Sequence, residues 1–152
     1  DVVGQILLHS FQPKNSNIAN IRYPADDWAE VGELLDFDQR QYDSDGTAKL
    51  ASTGQYFISK KCKRDGGCRI NLALHGCGGL TDDFITKTGY LNWAANNDFI
   101  VIFPAVIDCW DLTGETGADF ATKNGRQVVA LISMIDAVRE EKLHLALKSI
   151  LL

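Results

Sequence analysis

Residues 72–79 read LALHGCGG: an apolar run that stops at a histidine, a cysteine and three glycines. Working outward, residues 69–74 (RINLAL) are expected to be a strand that feeds this loop. Residues 55–58 (QYFI) form another, joined to the first as a hairpin by the turn-rich stretch around Cys62 and Cys68. Phe99–Phe103 (FIVIF) is apolar throughout, as expected of a strand buried on both faces of a parallel sheet. Between the loop and that strand, Phe84, Ile85, Tyr90, Leu91, Trp93 and Ala94 recur with the rhythm of one or two helical segments interrupted near Gly89. Strand, helix, strand at this spacing is a right-handed βαβ crossover. A further helix over 125–141 is expected to bury Val128, Leu131, Ile132, Ile135 and Val138. Upstream, 2–11 reads as the end of a helix or strand, 12–20 as a loop, and 26–35 as mostly irregular, ending in Phe37, Asp38 and Gln39. The fold class is α/β, with a short, partly parallel sheet of three strands and flanking helices.

Composition narrows the function. The chain has 152 residues, enough for one domain with a real core, at 45% hydrophobic and 23% charged. A net charge of −5 and scattered basic residues argue against nucleic acid as a partner. The densest basic run, Lys60 to Arg64, reads as a solvated hairpin tip. No apolar run reaches the 18 residues of a membrane helix, and no signal peptide is visible before Asp1. An unprocessed start is absent and the far end, from Leu147 to Leu152, is apolar, so the chain reads as trimmed or as a fragment. Cys62, Cys68, Cys77 and Cys109 permit three pairings and contain no CxxC, which disfavours a metal site. The turn between Cys62 and Cys68 is able to bring those two sulfurs together, leaving Cys77 for Cys109. Two disulfides imply an oxidising compartment; four buried thiols are the alternative. No cofactor motif is present.

The HGCGG loop sits where α/β-hydrolases place an HGGG-type motif, after a strand and before a helix. There a backbone N–H supplies half of an oxyanion hole for ester or amide hydrolysis; the alternative for HGCGG is a tight strand-to-helix turn with no chemistry. Cys77 is the candidate donor, with Gly76 allowing close approach and His75 holding the loop rather than acting as base. His9 and His144 lie in no motif. None of the serines lies in GxSxG, so a nucleophile is missing from these 152 residues. Cys109, Trp110 and Asp111 follow FIVIFP and belong at the same sheet edge, where Trp110 either offers an apolar wall to a substrate or packs over a disulfide. Asp108 and Asp111 are candidate acids that lack a histidine partner, which favours a solvated or capping role.

Taken together, GGCRINLALHGCGG, TGYLNWAANNDFIVIFP, CWD and GRQVVALISMIDAV resemble the poly(3-hydroxybutyrate) depolymerases and related secreted esterases. The upstream LLDFDQRQY and YFISKKC agree with this. The resemblance covers roughly 32–138, with 6–11 as a less secure extension. It implies a circularly permuted α/β-hydrolase of which these residues are the C-terminal half, with serine, aspartate and histidine lying upstream. It implies disulfides Cys62–Cys68 and Cys77–Cys109, a Cys77 amide in the oxyanion hole, and Trp110 lining a polyester crevice with His75 and Gly76. The implied substrate is an aliphatic polyester or short hydroxyacid ester, and the implied location extracellular. Alone, such a chain is expected to be inactive. The departures are Asp108 and Leu112, where the family commonly has a glycine and a tryptophan, and a short loop after Pro104. The alternative is a non-catalytic, degenerate module of this fold that binds polymer or a partner.

Overall fold

The computed structural model describes residues 22–150, with side chains to 140. The expectations for 2–20, including His9, and the side chain of His144 lie outside the described residues. The four strands are β1 (Gly32–Asp38), β2 (Thr53–Ser59), β3 (Arg69–Leu72) and β4 (Phe99–Phe103). The helices are α1 (Lys60–Asp65), α2 (Asp82–Lys87), α3 (Tyr90–Asn97) and α4 (Arg126–Ile150), with a 3-10 turn over Arg40–Tyr42. The sheet order is β1-β2-β4-β3, with β3 and β4 parallel and the other pairs antiparallel.

All five residues of β4 are buried, which suits an inner strand. Phe99, Val101 and Phe103 face Ile85, Leu91, Ala94 and Ala95 of α2 and α3. Ile100 packs on the opposite side with Ile58, Cys62, Ile70 and Val138. The expected crossover holds: β3 leads through α2 and α3 to β4, and the two helices part at Gly89, whose φ of 91° is ordinary only for glycine. The Thr81 hydroxyl accepts the Phe84 N–H at 3.2 Å and starts α2. Asn92, Asn96 and Asn97 hold the carbonyls of Ala25, Tyr23 and Arg22 at 2.8–2.9 Å, strapping the segment before β1 onto α3.

Four expectations fail. β2 and β3 are not a hairpin, because β4 lies between them; the wholly apolar FIVIF takes the inner place that a β2–β3 pair would deny it. The basic run is helix α1 rather than a hairpin tip. The Ser59 hydroxyl accepts the Cys62 N–H at 3.1 Å, and Cys62 is buried and bonded to Cys68. Residues 32–38, read as irregular, form edge strand β1 and make the sheet four strands wide. Its acids Asp36 and Asp38 stay exposed, and a Cβ on Gly32 would fall 2.3 Å from the Phe57 ring. On α4, the buried stripe runs through Gln127, Ala130, Leu131 and Met134, while Ile132 is left exposed. Gln127 displaces an aliphatic residue because its amide is needed elsewhere, as described below.

Gln39 is fully buried and ties three segments together. Its Nε2 donates to the carbonyls of Ala51 and Ala105 at 2.8 and 2.9 Å, and its Oε1 accepts the Ala105 N–H at 2.9 Å. Replacing it with alanine strands these groups without water, so Gln39→Ala should destabilise the fold by about 2–4 kcal/mol. Urea unfolding measures this, and a loss under about 0.5 kcal/mol would contradict it.

Candidate functional site

Parallel strands β3 and β4 deliver their following loops to one edge of the sheet, where α/β folds assemble their sites. The first loop is His75 to Gly79, the second Val106 to Asp111. Four ties lace them together. His75 is 4% exposed and its Nε2 accepts the Val106 N–H at 3.1 Å. That bond requires a bare Nε2, so the proton sits on Nδ1, which donates to the Gly76 carbonyl. The Cys77–Cys109 disulfide is the second tie. The Asp108 carboxylate accepts the Gly78 N–H at 2.9 Å, and the Asp108 carbonyl accepts the Gly79 N–H at 3.1 Å. Gly78 and Gly79 stand at φ 97° and 83°, which a side-chain-bearing residue rarely adopts.

With both nitrogens occupied in holding the loop, His75 is a brace. Among the described residues, the N–H groups of Gly76 and Cys77 have no hydrogen-bonded acceptor, and both residues are exposed. Trp110 is half-buried, and its ring lies against His75 with centroids 5.5 Å apart. Its buried Nε1 has no partner among the described residues. The second loop borders an open crevice of about 630 Å³, with Ile107, Trp110 and Leu112 on its apolar side, and the first loop joins that border through the Cys77–Cys109 disulfide and Asp108. Ile107 and Leu112 are 77% and 75% exposed, apolar surface that this crevice presents to solvent.

Asp111 organises the far wall. One carboxylate oxygen accepts the N–H groups of Thr113, Gly114 and Glu115 at 2.7–3.0 Å; the other accepts the N–H and hydroxyl of Thr116 at 2.6 and 2.7 Å. The Asp111 N–H donates to Gln127 Oε1 at 2.8 Å, and Gln127 Nε2 donates to the Ala48 carbonyl at 3.0 Å. Lys49 and Glu115 pair at 2.7 Å across the same rim. Asp111 is therefore a loop cap, the second of the solvated and capping roles left open by its lack of a histidine partner. Asp108 braces the HGCGG loop through its side chain, which accepts the Gly78 N–H as a capping carboxylate does. Gln127 was missed, and its only signal is a glutamine in an otherwise apolar helical stripe. Among the described residues, no group of three His, Cys, Asp or Glu converges to hold a metal.

No protein-family model matches the chain. It is 28% identical over 149 residues to a poly(3-hydroxybutyrate) depolymerase of Delftia acidovorans, covering 91% of this chain and 28% of that protein. A polyhydroxybutyrate depolymerase of Talaromyces funiculosus is 26% identical over 130 residues, covering 70% of this chain and 38% of that one. Among solved structures, a PHB depolymerase variant complexed with an R3HB trimer superposes with a TM-score of 0.68 at 22% identity, over 81% of this chain and 45% of the other. The PHB depolymerase from Penicillium funiculosum gives 0.63 at 23%, over 76% and 43%. The fold is that of these α/β-hydrolases, and the chain spans less than half the length of each.

The pH behaviour of the Asp111 loop follows from its contacts. Burial alone would raise the Asp111 pKa, but the bonds from Thr116, Gly114 and Thr113 outweigh it and hold the carboxyl well below the usual carboxylate range. A folded-state pKa below the unfolded value of about 3.9 means the contribution is full above about pH 4 and fades as pH falls further. Asp111→Asn should lower the urea midpoint at pH 7, with the gap to wild type narrowing toward pH 3. A gap that stays constant over that range would contradict the assignment.

Proposed function

We propose that this chain, a homologue of the poly(3-hydroxybutyrate) depolymerases, forms the oxyanion-loop and substrate-crevice part of a serine-type carboxylic ester hydrolase. The observation that supports it is the pattern of free amides. Four ties hold the HGCGG loop, yet among the described residues the Gly76 and Cys77 N–H groups have no acceptor, and the loop is bonded to Asp108 and Cys109, which line the apolar crevice. Attack on an ester carbonyl places negative charge on its oxygen, and donors fixed beforehand stabilise that charge without reorganising. The Cys77 amide is the donor from this side, worth about 3–4 kcal/mol of transition-state stabilisation if it behaves like other such donors. His75 and the disulfide set its direction, and Trp110, Ile107 and Leu112 offer an apolar wall to the chain of an aliphatic polyester or a short hydroxyacid ester.

The nucleophile, its histidine base and the orienting aspartate come from outside these residues, in the circularly permuted order that the resemblance implies. The chain is then the C-terminal half of an extracellular enzyme, in keeping with its two disulfides. A p-nitrophenyl butyrate assay checks this. The 152 residues alone should give no turnover, but should bind poly(3-hydroxybutyrate) film, with Trp110→Ala weakening adsorption by about tenfold. Steady hydrolysis by the isolated chain, abolished by one internal substitution, would refute the proposal. So would a coding sequence whose upstream part lacks GxSxG followed by aspartate and histidine.

A further inference from the structure

The product of ester cleavage is an acid that ionises to a carboxylate, released next to a loop built of exposed amides. Successive amides at left-handed glycines form concavities that attract anions. This loop has two such glycines, and both of their amides are turned onto one residue: Gly78 N–H meets the Asp108 carboxylate at 2.9 Å and Gly79 N–H the Asp108 carbonyl at 3.1 Å. Asp108 is exposed and borders the crevice. Its second carboxylate oxygen has no hydrogen bond among the described residues. The other charges around the crevice are engaged elsewhere. Lys49 pairs with Glu115, Asp43 accepts the amides of Ala48 and Leu50, and Asp111 is filled by residues 113–116.

We propose that Asp108 is a built-in anion that fills the anion-attracting side of the HGCGG loop, so that free carboxylates, the hydrolysis product included, are repelled from the Gly76 and Cys77 amides. The proposal rests on the ester-hydrolase reading for the identity of the anion. The Cys77 amide is one residue from that of Gly78, about 3.8 Å along the chain from Cα to Cα. A like charge at this range weakens the hold on a free carboxylate, which the site must bind unaided. The same charge opposes the transient oxyanion too, but that species is held in place by its covalent bond to the nucleophile, whereas a free carboxylate has only the loop's donors to hold it. Asp108 thus favours departure of the acid over its retention.

The test uses the 152-residue chain and requires no turnover. Sodium acetate and sodium 3-hydroxybutyrate are titrated at fixed ionic strength while the amide resonances of residues 76–79 are followed by NMR. Asp108→Asn keeps a hydrogen-bond acceptor and removes the charge, so it should bind both anions about tenfold more tightly than wild type. That gap should shrink in high salt. Asp108→Ser serves as a second neutral variant if asparagine disturbs the fold. Equal affinity in wild type and neutral variants overturns the proposal, as does an absence of binding to all of them. Repulsion without polyester binding would remove the ester-hydrolase reading and leave Asp108 an anion guard. Polyester binding without the charge effect would remove Asp108 alone.

Discussion

Burial of Phe99–Phe103 on both faces is the constraint from which the rest of the molecule follows. A strand with no polar side chain has to lie inside the sheet, and helices have to cover both of its sides. Here α2 and α3 cover one side, and α1 and α4 the other. Once β4 is inside, its partner β3 must reach it by a crossover, and a parallel pair sends both following loops to one edge. The HGCGG loop and the Asp108–Asp111 segment meet there because the strands before them run side by side. The chemistry of the site is thus downstream of a packing decision made by five apolar residues.

Much of this is legible in the sequence alone. The crossover, the break at Gly89 and the shared edge of the two loops follow from hydrophobic period and glycine placement, both local properties. Strand β1 was not legible, because GELLDFD lies at the sheet's edge. Its residues are only half covered, and neither period stands out. The supposed hairpin failed for the opposite reason: both strands were found, but their pairing depends on which third strand claims the place between them. The Asn ladder on α3 and the Gln39 and Gln127 ties are long-range bonds between polar residues and backbone, for which a sequence holds no periodic sign.

At the site, the role of His75 could be read as structural from its setting, and its two hydrogen bonds give that role an atomic form. Cys77 and Trp110 were placed on the same edge by the strands that precede them. What sequence could not supply was the division of labour among the loop amides. Two are consumed by Asp108 and two are left open, a result of the backbone turn at Gly78 and Gly79. In the sequence Asp108 is an acid without a histidine partner; its contacts with the Gly78 and Gly79 amides make it a defined local charge.

The two disulfides differ in their surroundings. Cys62 is buried among Ile58 and Ile100, whereas Cys77 and Cys109 are both exposed at the rim. Core packing surrounds the first bond, so thiol reagents reach the second more readily. The sheet is held by burial and would outlast a mild reductant that opens the loop clamp. In a reducing compartment, then, this chain would retain its architecture while its HGCGG loop loses the one covalent tie of four, which makes the clamp's integrity a record of where the protein has matured.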